Sequence, residues 1–545
     1  MVPRLALPRL ELPLQPAALA LIALAFVLPG LAGHDLWKSH DALGLGIVHD
    51  MARSGEYVVP RVSGWTWLHD PPLYHWVALA LGLGLDFLLE FHSAARLASG
   101  AFVLAAFALI YRAARDWADP EQREAVASAA PLLVLGSVGL MVHAHEAVPE
   151  LATLAALCGA LAALPRAGTH PVGAGLAFGA GVGAGLMSSH WSAPAALFIA
   201  VLVAHVICPA WRRRSAVLFL AVSLLVAGVI GAIWPFSLGS RSPQLFAEWW
   251  GEVSQPADSI MANLRYYFGA GSWFGWPAWP LALWTAWWLR RRWNEPRLFV
   301  PALSAVLMLA GLGVWGAKQS VSLIPVLAPL SVFAAQGVHT LRRGAMAALD
   351  WFGLITFAFF AGLVWLGYVA MMTGAPPRVA HNFAKTAPGF VPEFQLLYFL
   401  VAVALTLGWI YLMFFTTYSP TRSVARWAAG VVLLWGTFSM LWMPWADFQK
   451  SYRSVALQLR SKIPVSAKCV AQRGLGVPQG AALDYHADIR PRAFDFAQPR
   501  ACPLLLVQGS PRHEYDAPGA GWTKLADVGR PGDKSERFRL YRLQK

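Results

Sequence analysis

Arg212-Arg213-Arg214, then AVLFLAVSLLVAGVIGAIWP at 216–235, is the stretch that decides the fold. Twenty residues without an ionisable side chain make a helix of about 30 Å, the thickness of a bilayer's hydrocarbon core. The three arginines before it mark an end retained on the cytoplasmic side. Comparable apolar runs lie at 17–33, 97–112, 126–142, 149–165, 172–187, 193–208, 273–289, 299–315, 321–338, 350–372, 395–415 and 424–443, so the pattern predicts thirteen spans. With 57% hydrophobic and 13% charged residues, the chain holds more apolar surface than a water-soluble core can hide. The expected fold class is an α-helical polytopic membrane protein.

The apolar runs stop near residue 443. From 451 to 545 there are sixteen Lys and Arg against eight Asp and Glu, a surplus that supplies over half of the chain's net charge of +14. We therefore expect a transmembrane domain at 1–450 and a water-exposed domain at 451–545. No nucleotide loop or nucleic-acid module is visible, and the basic residues sit in loops and tail, so membrane orientation explains the charge and nucleic acid is excluded as a partner.

Basic clusters occur at Arg112/Arg115/Arg123, Arg166, Arg212/Arg213/Arg214, Arg290/Arg291/Arg292, Arg342/Arg343 and Arg422/Arg426, in every second loop. With Arg4 and Arg9 cytoplasmic, this alternation puts 34–96, 143–149, 188–192, 236–272, 316–320, 373–394 and the C-terminal domain on the other side. Leu31-Ala32-Gly33 is a poor cleavage site, so 17–33 is expected to be a retained span rather than a signal peptide. The segment 73–91 is apolar enough to cross, yet crossing would invert every later loop. Pro71-Pro72 before it and Asp86 and Glu90 within it favour a re-entrant or surface placement.

Ionisable groups gather on the non-cytoplasmic side: His34, Asp35, Lys38, His40, Asp41, His49, Asp50, Arg61, His69, Asp70, Arg96, His143, His145, Glu146, Glu150, His190, Arg265 and Lys318. Such groups at the ends of spans are costly unless they serve a function. The run His34-Asp35-Leu36-Trp37-Lys38-Ser39-His40-Asp41, then Gly55-Glu56-Tyr57-Val58-Val59-Pro60-Arg61 and Asp70-Pro71-Pro72-Leu73-Tyr74, resembles the first periplasmic loop of type C glycosyltransferases. The likeness, to the aminoarabinose transferases of lipid A and the protein O-mannosyltransferases, continues through Ala95-Arg96-Leu97, Glu150 and Trp273-Phe274-Gly275-Trp276-Pro277.

The resemblance implies a bacterial inner-membrane enzyme with a periplasmic C-terminal domain. It would move a sugar from a polyprenyl (undecaprenyl) phosphate carrier to a lipid, glycan or protein acceptor, with inversion. Such chemistry needs a carboxylate beside the anomeric carbon, cations for the leaving phosphate and an apolar groove for the lipid. Some relatives add a divalent metal.

Several family positions differ here. The paired acids of the first loop stand as His40-Asp41, the lysine before the double proline is Asp70, and a Lys-Gly pair near 190 is Ser189-His190-Trp191. The candidate catalytic residues are then Asp41, His40 and Glu150. The candidate phosphate or donor contacts are Lys38, Arg61, Trp67 (by stacking), His69, Asp70, Arg96, His190, Arg265 and Lys318. The cations among them also suit headgroup anchoring or pairing with nearby carboxylates.

His143, His145 and Glu146 form the candidate set for a divalent metal, against which Pro149 argues by interrupting a continuous helical face with Glu150. Trp273, Trp276 and Trp279 read as an interfacial belt. The tail shows a helical stretch at 451–461 and strand-like runs at 469–471, 504–507, 523–528 and 538–543, a small α/β domain expected to cap the cavity or help bind acceptor. Cys469 and Cys502 are candidates for a disulfide or for two buried thiols; Cys158 and Cys208 read as packing residues. The departures leave a second reading, a degenerate homologue that binds a lipid-linked sugar or a partner without transfer. A transporter is disfavoured, because no inverted repeat is evident.

Overall fold

The computed structural model describes residues 10–465, 467, 469–494, 502–510 and 518–544. Arg4 and Arg9 lie outside the described residues.

Each of the thirteen expected runs contains helix, although the run at 17–33 leaves it after Val27 and those at 126–142 and 273–289 are interrupted after Gly136 and Phe274. Among the described residues, six helices are long and apolar enough to cross a membrane: Phe91–Trp117, Ser215–Arg241, Pro296–Trp315, Arg343–Thr373, Leu396–Phe414 and Arg422–Leu441. The shorter ones, such as Glu150–Ala163 and Pro171–Leu186, pack among them. The chain is a multi-pass membrane protein. The run at 321–338 begins as a 3-10 turn, Ser320–Val326, with Pro325 within it, and continues as Leu327–Gln336.

The 73–91 segment forms a helix of twelve residues, Leu73–Gly84. At about 1.5 Å per residue it is roughly 18 Å long, little over half the hydrocarbon thickness. Phe87 and Leu88, in the turn that follows, are 80% and 70% exposed.

The first loop folds as the helix His40–Ser54 and a small hairpin, β1 (Arg61–Val62) with β2 (Trp65–Thr66). Gly44 and Gly46 let that helix press against two neighbours. A Cβ at Gly44 would lie 2.0 Å from the Ala147 carbonyl, and one at Gly46 would lie 2.6 Å from Ala481 Cβ.

Ala481 belongs to the C-terminal domain. There β3 (Val470–Arg473), β4 (Arg492–Ala493), β5 (Leu504–Gly509), β6 (Trp522–Val528) and β7 (Arg537–Leu543) form one sheet in the order β4-β3-β5-β7-β6. β3 runs parallel to β4 and β5, whereas β7 is antiparallel to β5 and β6. The helices Arg453–Lys462 and Val477–Ala487 complete the α/β unit. Val477–Ala487 and β4 are elements that the sequence reading did not place. A disulfide joins Cys469 to Cys502 just ahead of β3 and β5, with Cα atoms 5.4 Å apart, while Cys158 and Cys208 are buried free thiols. Arg53 ties the domain to the first loop through Asp484 at 2.8 Å.

Candidate active site

A cavity of about 560 Å³ lies where the first loop, the start of Glu150–Ala163, the turn at 189–193, the end of Pro243–Ser254 and the segment 316–325 meet. Val477 and Pro478 of the C-terminal domain close one wall. Its polar lining includes His40, His69, Asp70, His75, Glu150, His190 and Glu252, with Trp67 and Trp315 among the aromatic surfaces. Among the described residues, neither a lysine nor an arginine lines it.

Asp41 is placed otherwise. It is fully buried, and its carboxylate accepts Arg96 Nε and Nη2 at 3.0 and 2.9 Å, Ala147 N at 3.0 Å and Trp37 N at 3.3 Å. Burial alone would raise its pKa, but the Arg96 guanidinium holds it below the usual carboxylate range. Arg96 has no surface left for a phosphate, because it also donates to the carbonyls of His34 and Asp35. The pair stands behind the wall, and its bond to Ala147 braces the turn that delivers Glu150.

His40 occupies the cavity side of the same helix. Neither of its ring nitrogens is engaged by another described residue, and burial lowers its pKa, which favours the neutral imidazole. Its ring stands 6.1 Å from that of His143, whose Nδ1 meets Glu146 Oε2 at 2.6 Å. Asp70 and Glu150 face the same space, close enough for the charge of one to act on the other. Burial raises the pKa of Asp70, an effect that neighbouring His69 partly offsets. His69 itself pairs with Glu252 at 2.7 Å and tilts against Trp67, with ring centroids 4.3 Å apart.

Of the other candidates, His190 lines the cavity and Lys318 borders it, while Lys38, Arg61 and Arg265 lie elsewhere. Both nitrogens of His190 are occupied, by Ser192 at 2.9 Å and the Val253 carbonyl at 3.1 Å. Lys38 points to Glu536 at 3.6 Å. Arg61 and Arg265 are exposed and do not line the cavity. Lys318 is exposed on the rim between the lining residues Ala317 and Gln319, with φ at +55°, a left-handed conformation that costs a lysine energy and recurs at functional sites.

The metal expectation is corrected. His145 turns into the core, where its two ring nitrogens meet the carbonyls of Met141 and Phe26 at 3.0 and 2.9 Å and its ring stacks on Trp435 at 4.4 Å. It is unavailable to an ion beside His143 and Glu146, so those three residues do not fit a metal.

His75 and Glu252 complete the lining, and the sequence reading singled out neither. His75 lies inside an apolar run and Glu252 in an amphipathic helix, and only the packing of distant helices brings them to the cavity.

No protein-family model matches the chain. Two curated proteins named undecaprenyl phosphate-alpha-4-amino-4-deoxy-L-arabinose arabinosyl transferase are similar to it. The one from Pseudomonas savastanoi pv. phaseolicola is 26% identical over 385 residues, covering 65% of this chain and 67% of the relative. The one from Yersinia enterocolitica is 25% identical over 383 residues, covering 65% and 66%. The crystal structure of ArnT from Cupriavidus metallidurans bound to undecaprenyl phosphate superposes with a TM-score of 0.66 at 19% identity, over 96% of this chain and 97% of that one. The chain has the type C glycosyltransferase fold. In this type C fold the soluble domain is part of the match, since the superposition extends over nearly the whole chain.

Proposed function

We propose that this protein is a membrane glycosyltransferase that takes an amino sugar from undecaprenyl phosphate and passes it to a glycolipid acceptor of the lipid A type on the periplasmic face. The observation that carries the reading is the acidic cavity, in which Asp70, Glu150 and Glu252 line a space without lysine or arginine. A sugar bearing an ammonium group is stabilised there, and the named relatives use a 4-amino-4-deoxy sugar. The periplasmic assignment draws support from the loop charges and from the Cys469–Cys502 disulfide, which suits an oxidising compartment.

In this reading the acceptor hydroxyl attacks the anomeric carbon while the bond from that carbon to the phosphate oxygen breaks, the electron pair leaving with the phosphate. Glu150 receives the acceptor's proton. Neutral His40 orients the attacking oxygen, and Asp70 and Glu252 hold the ammonium group. Lys318 at the rim meets the phosphate. The Asp41–Arg96 pair positions Glu150 without touching substrate.

Transfer of labelled 4-amino-4-deoxy-arabinose from undecaprenyl phosphate by the purified protein in proteoliposomes containing lipid A tests the proposal. Turnover that falls on Glu150→Gln supports it. Donor binding without turnover, across amino and neutral sugars, favours instead a lipid-linked-sugar binder, a reading motivated by the withdrawal of Asp41 and Arg96 from the cavity.

A further inference from the structure

The helix Pro171–Leu186 carries two ridges of small residues. Along the first, a Cβ at Gly175, Gly179 or Gly183 would fall 2.9 Å from the Phe219 carbonyl, 2.7 Å from the Ser223 carbonyl or 2.7 Å from Ile230 Cβ, so this ridge is closed against Ser215–Arg241. The second ridge, Gly173, Ala177 and Gly181, borders a space shared with Glu150–Ala163. At Gly181 those two helices touch, with a Cβ there 2.7 Å from the Ala156 carbonyl, but at Gly173 nothing lies within 4 Å. The helices therefore splay over about 12 Å of axis. The crevice between them measures about 670 Å³ and is lined mainly by alanine and glycine.

Its mouth is cationic. Arg112, Arg166 and His170 border it, and the two arginines share one carboxylate, Asp116, at 3.9 and 3.2 Å. Arg115 is matched by Glu124 at 3.3 Å, and His170 Nδ1 meets Thr169 Oγ1 at 3.1 Å. One positive charge thus remains over among these groups, with both arginine side chains about half exposed. The crevice lies at the far end of the helices that serve the active site. Arg96 and Arg112 stand roughly 24 Å apart along one helix, and Glu150 and Ala163 roughly 20 Å apart along another.

We propose that this crevice binds an anionic phospholipid, with an acyl chain laid against Ala156, Gly159 and Gly173 and the phosphate held by Arg112 and Arg166. An apolar slot open to lipid gains dispersion contacts from a chain that fills it, and paired guanidiniums suit phosphate oxygens better than a zwitterionic headgroup. The site is independent of the proposed transfer reaction.

The test uses the full-length protein in detergent, with lipid binding read by native mass spectrometry and by the thermal midpoint. Phosphatidylglycerol, phosphatidylcholine and glycerol 3-phosphate are the probes. Phosphatidylglycerol alone should stay bound and raise the midpoint, and Arg112→Gln and Arg166→Gln should each weaken it about fivefold, the factor equivalent to ~1 kcal/mol. Gly173→Leu, which fills the open end and leaves both arginines paired, should weaken it too. Equal retention of phosphatidylcholine, equal competition by glycerol 3-phosphate, or unchanged phosphatidylglycerol affinity in a folded Gly173→Leu protein would each overturn the proposal.

Discussion

Asp41 and Glu150 come from two segments that meet at one point, and they are treated in opposite ways. Asp41 receives two guanidinium nitrogens and two backbone N–H groups and is sealed from solvent. Glu150 is given no cation and is left facing a cavity, with a second carboxylate, Asp70, within electrostatic reach. Carboxylates that a fold needs only for architecture are satisfied by the fold. Those left unsatisfied beside an open space are where chemistry is done. In the proposed mechanism the acid that the family motif favours is therefore the braced one, and Glu150, which that brace positions, is the working acid.

The sharpest way to break this comparison is to remove each charge in turn. Glu150→Gln should lower transfer by about 10²- to 10⁴-fold, the usual contribution of a general base, with the thermal midpoint unchanged. Full activity in that variant would end the assignment. Asp41→Ala should act on stability instead, because it strands the buried Arg96 guanidinium. The expected loss is about 3–5 kcal/mol, read by thermal or denaturant unfolding in detergent. Replacing both partners, as Asp41→Leu with Arg96→Met, should recover part of it. A normally stable Asp41→Ala protein that has lost turnover would instead make Asp41 a catalytic residue.

Much of this architecture was legible in the sequence. The apolar runs became helices where lipid-like composition required them, and the strand-like runs 504–507, 523–528 and 538–543 each fall within a strand of one sheet. The division of labour within the site was not legible. Nothing local distinguishes Asp41, which is sealed by an arginine 55 residues away, from Asp70, which receives none. Likewise, the spacing of His143, His145 and Glu146 says nothing of the distant Phe26 carbonyl that captures the second histidine. Burial and long-range partners decide such roles, and a linear pattern records neither.

Asp447 extends the contrast to pH. It accepts Asp35 N at 2.9 Å and Trp37 Nε1 at 2.7 Å through one oxygen, while burial and the nearby Asp35 charge push its pKa up to about 6 from an ordinary 3.8. A raised carboxyl binds its proton more tightly folded than unfolded. Its stabilising contribution is thus full below pH ~4 and is lost as pH rises through about 6. Asp447→Asn keeps the accepting oxygen and removes the charge. It should stabilise the protein at pH 7 by up to about 3 kcal/mol and leave it unchanged near pH 4, as measured by unfolding at the two pH values. Equal effects at both would show that the gain is not electrostatic.

His75 gives the smallest expected effect and tests the same contrast with an uncharged group. Its ring is 1% exposed and borders the cavity, and neither nitrogen has a hydrogen-bond partner among the described residues. Burial favours the neutral imidazole, whose unmade bonds still cost about 1–3 kcal/mol. If that cost is carried for the architecture's sake, His75→Phe should destabilise the protein like any other core substitution. If it is carried for the cavity, the same change should raise the thermal midpoint by a few degrees and weaken donor binding. We expect the second outcome, since the packed Asp41–Arg96 layer already supplies the structural polar contacts at this depth. A variant that is both more stable and fully active would show that the imidazole serves neither purpose.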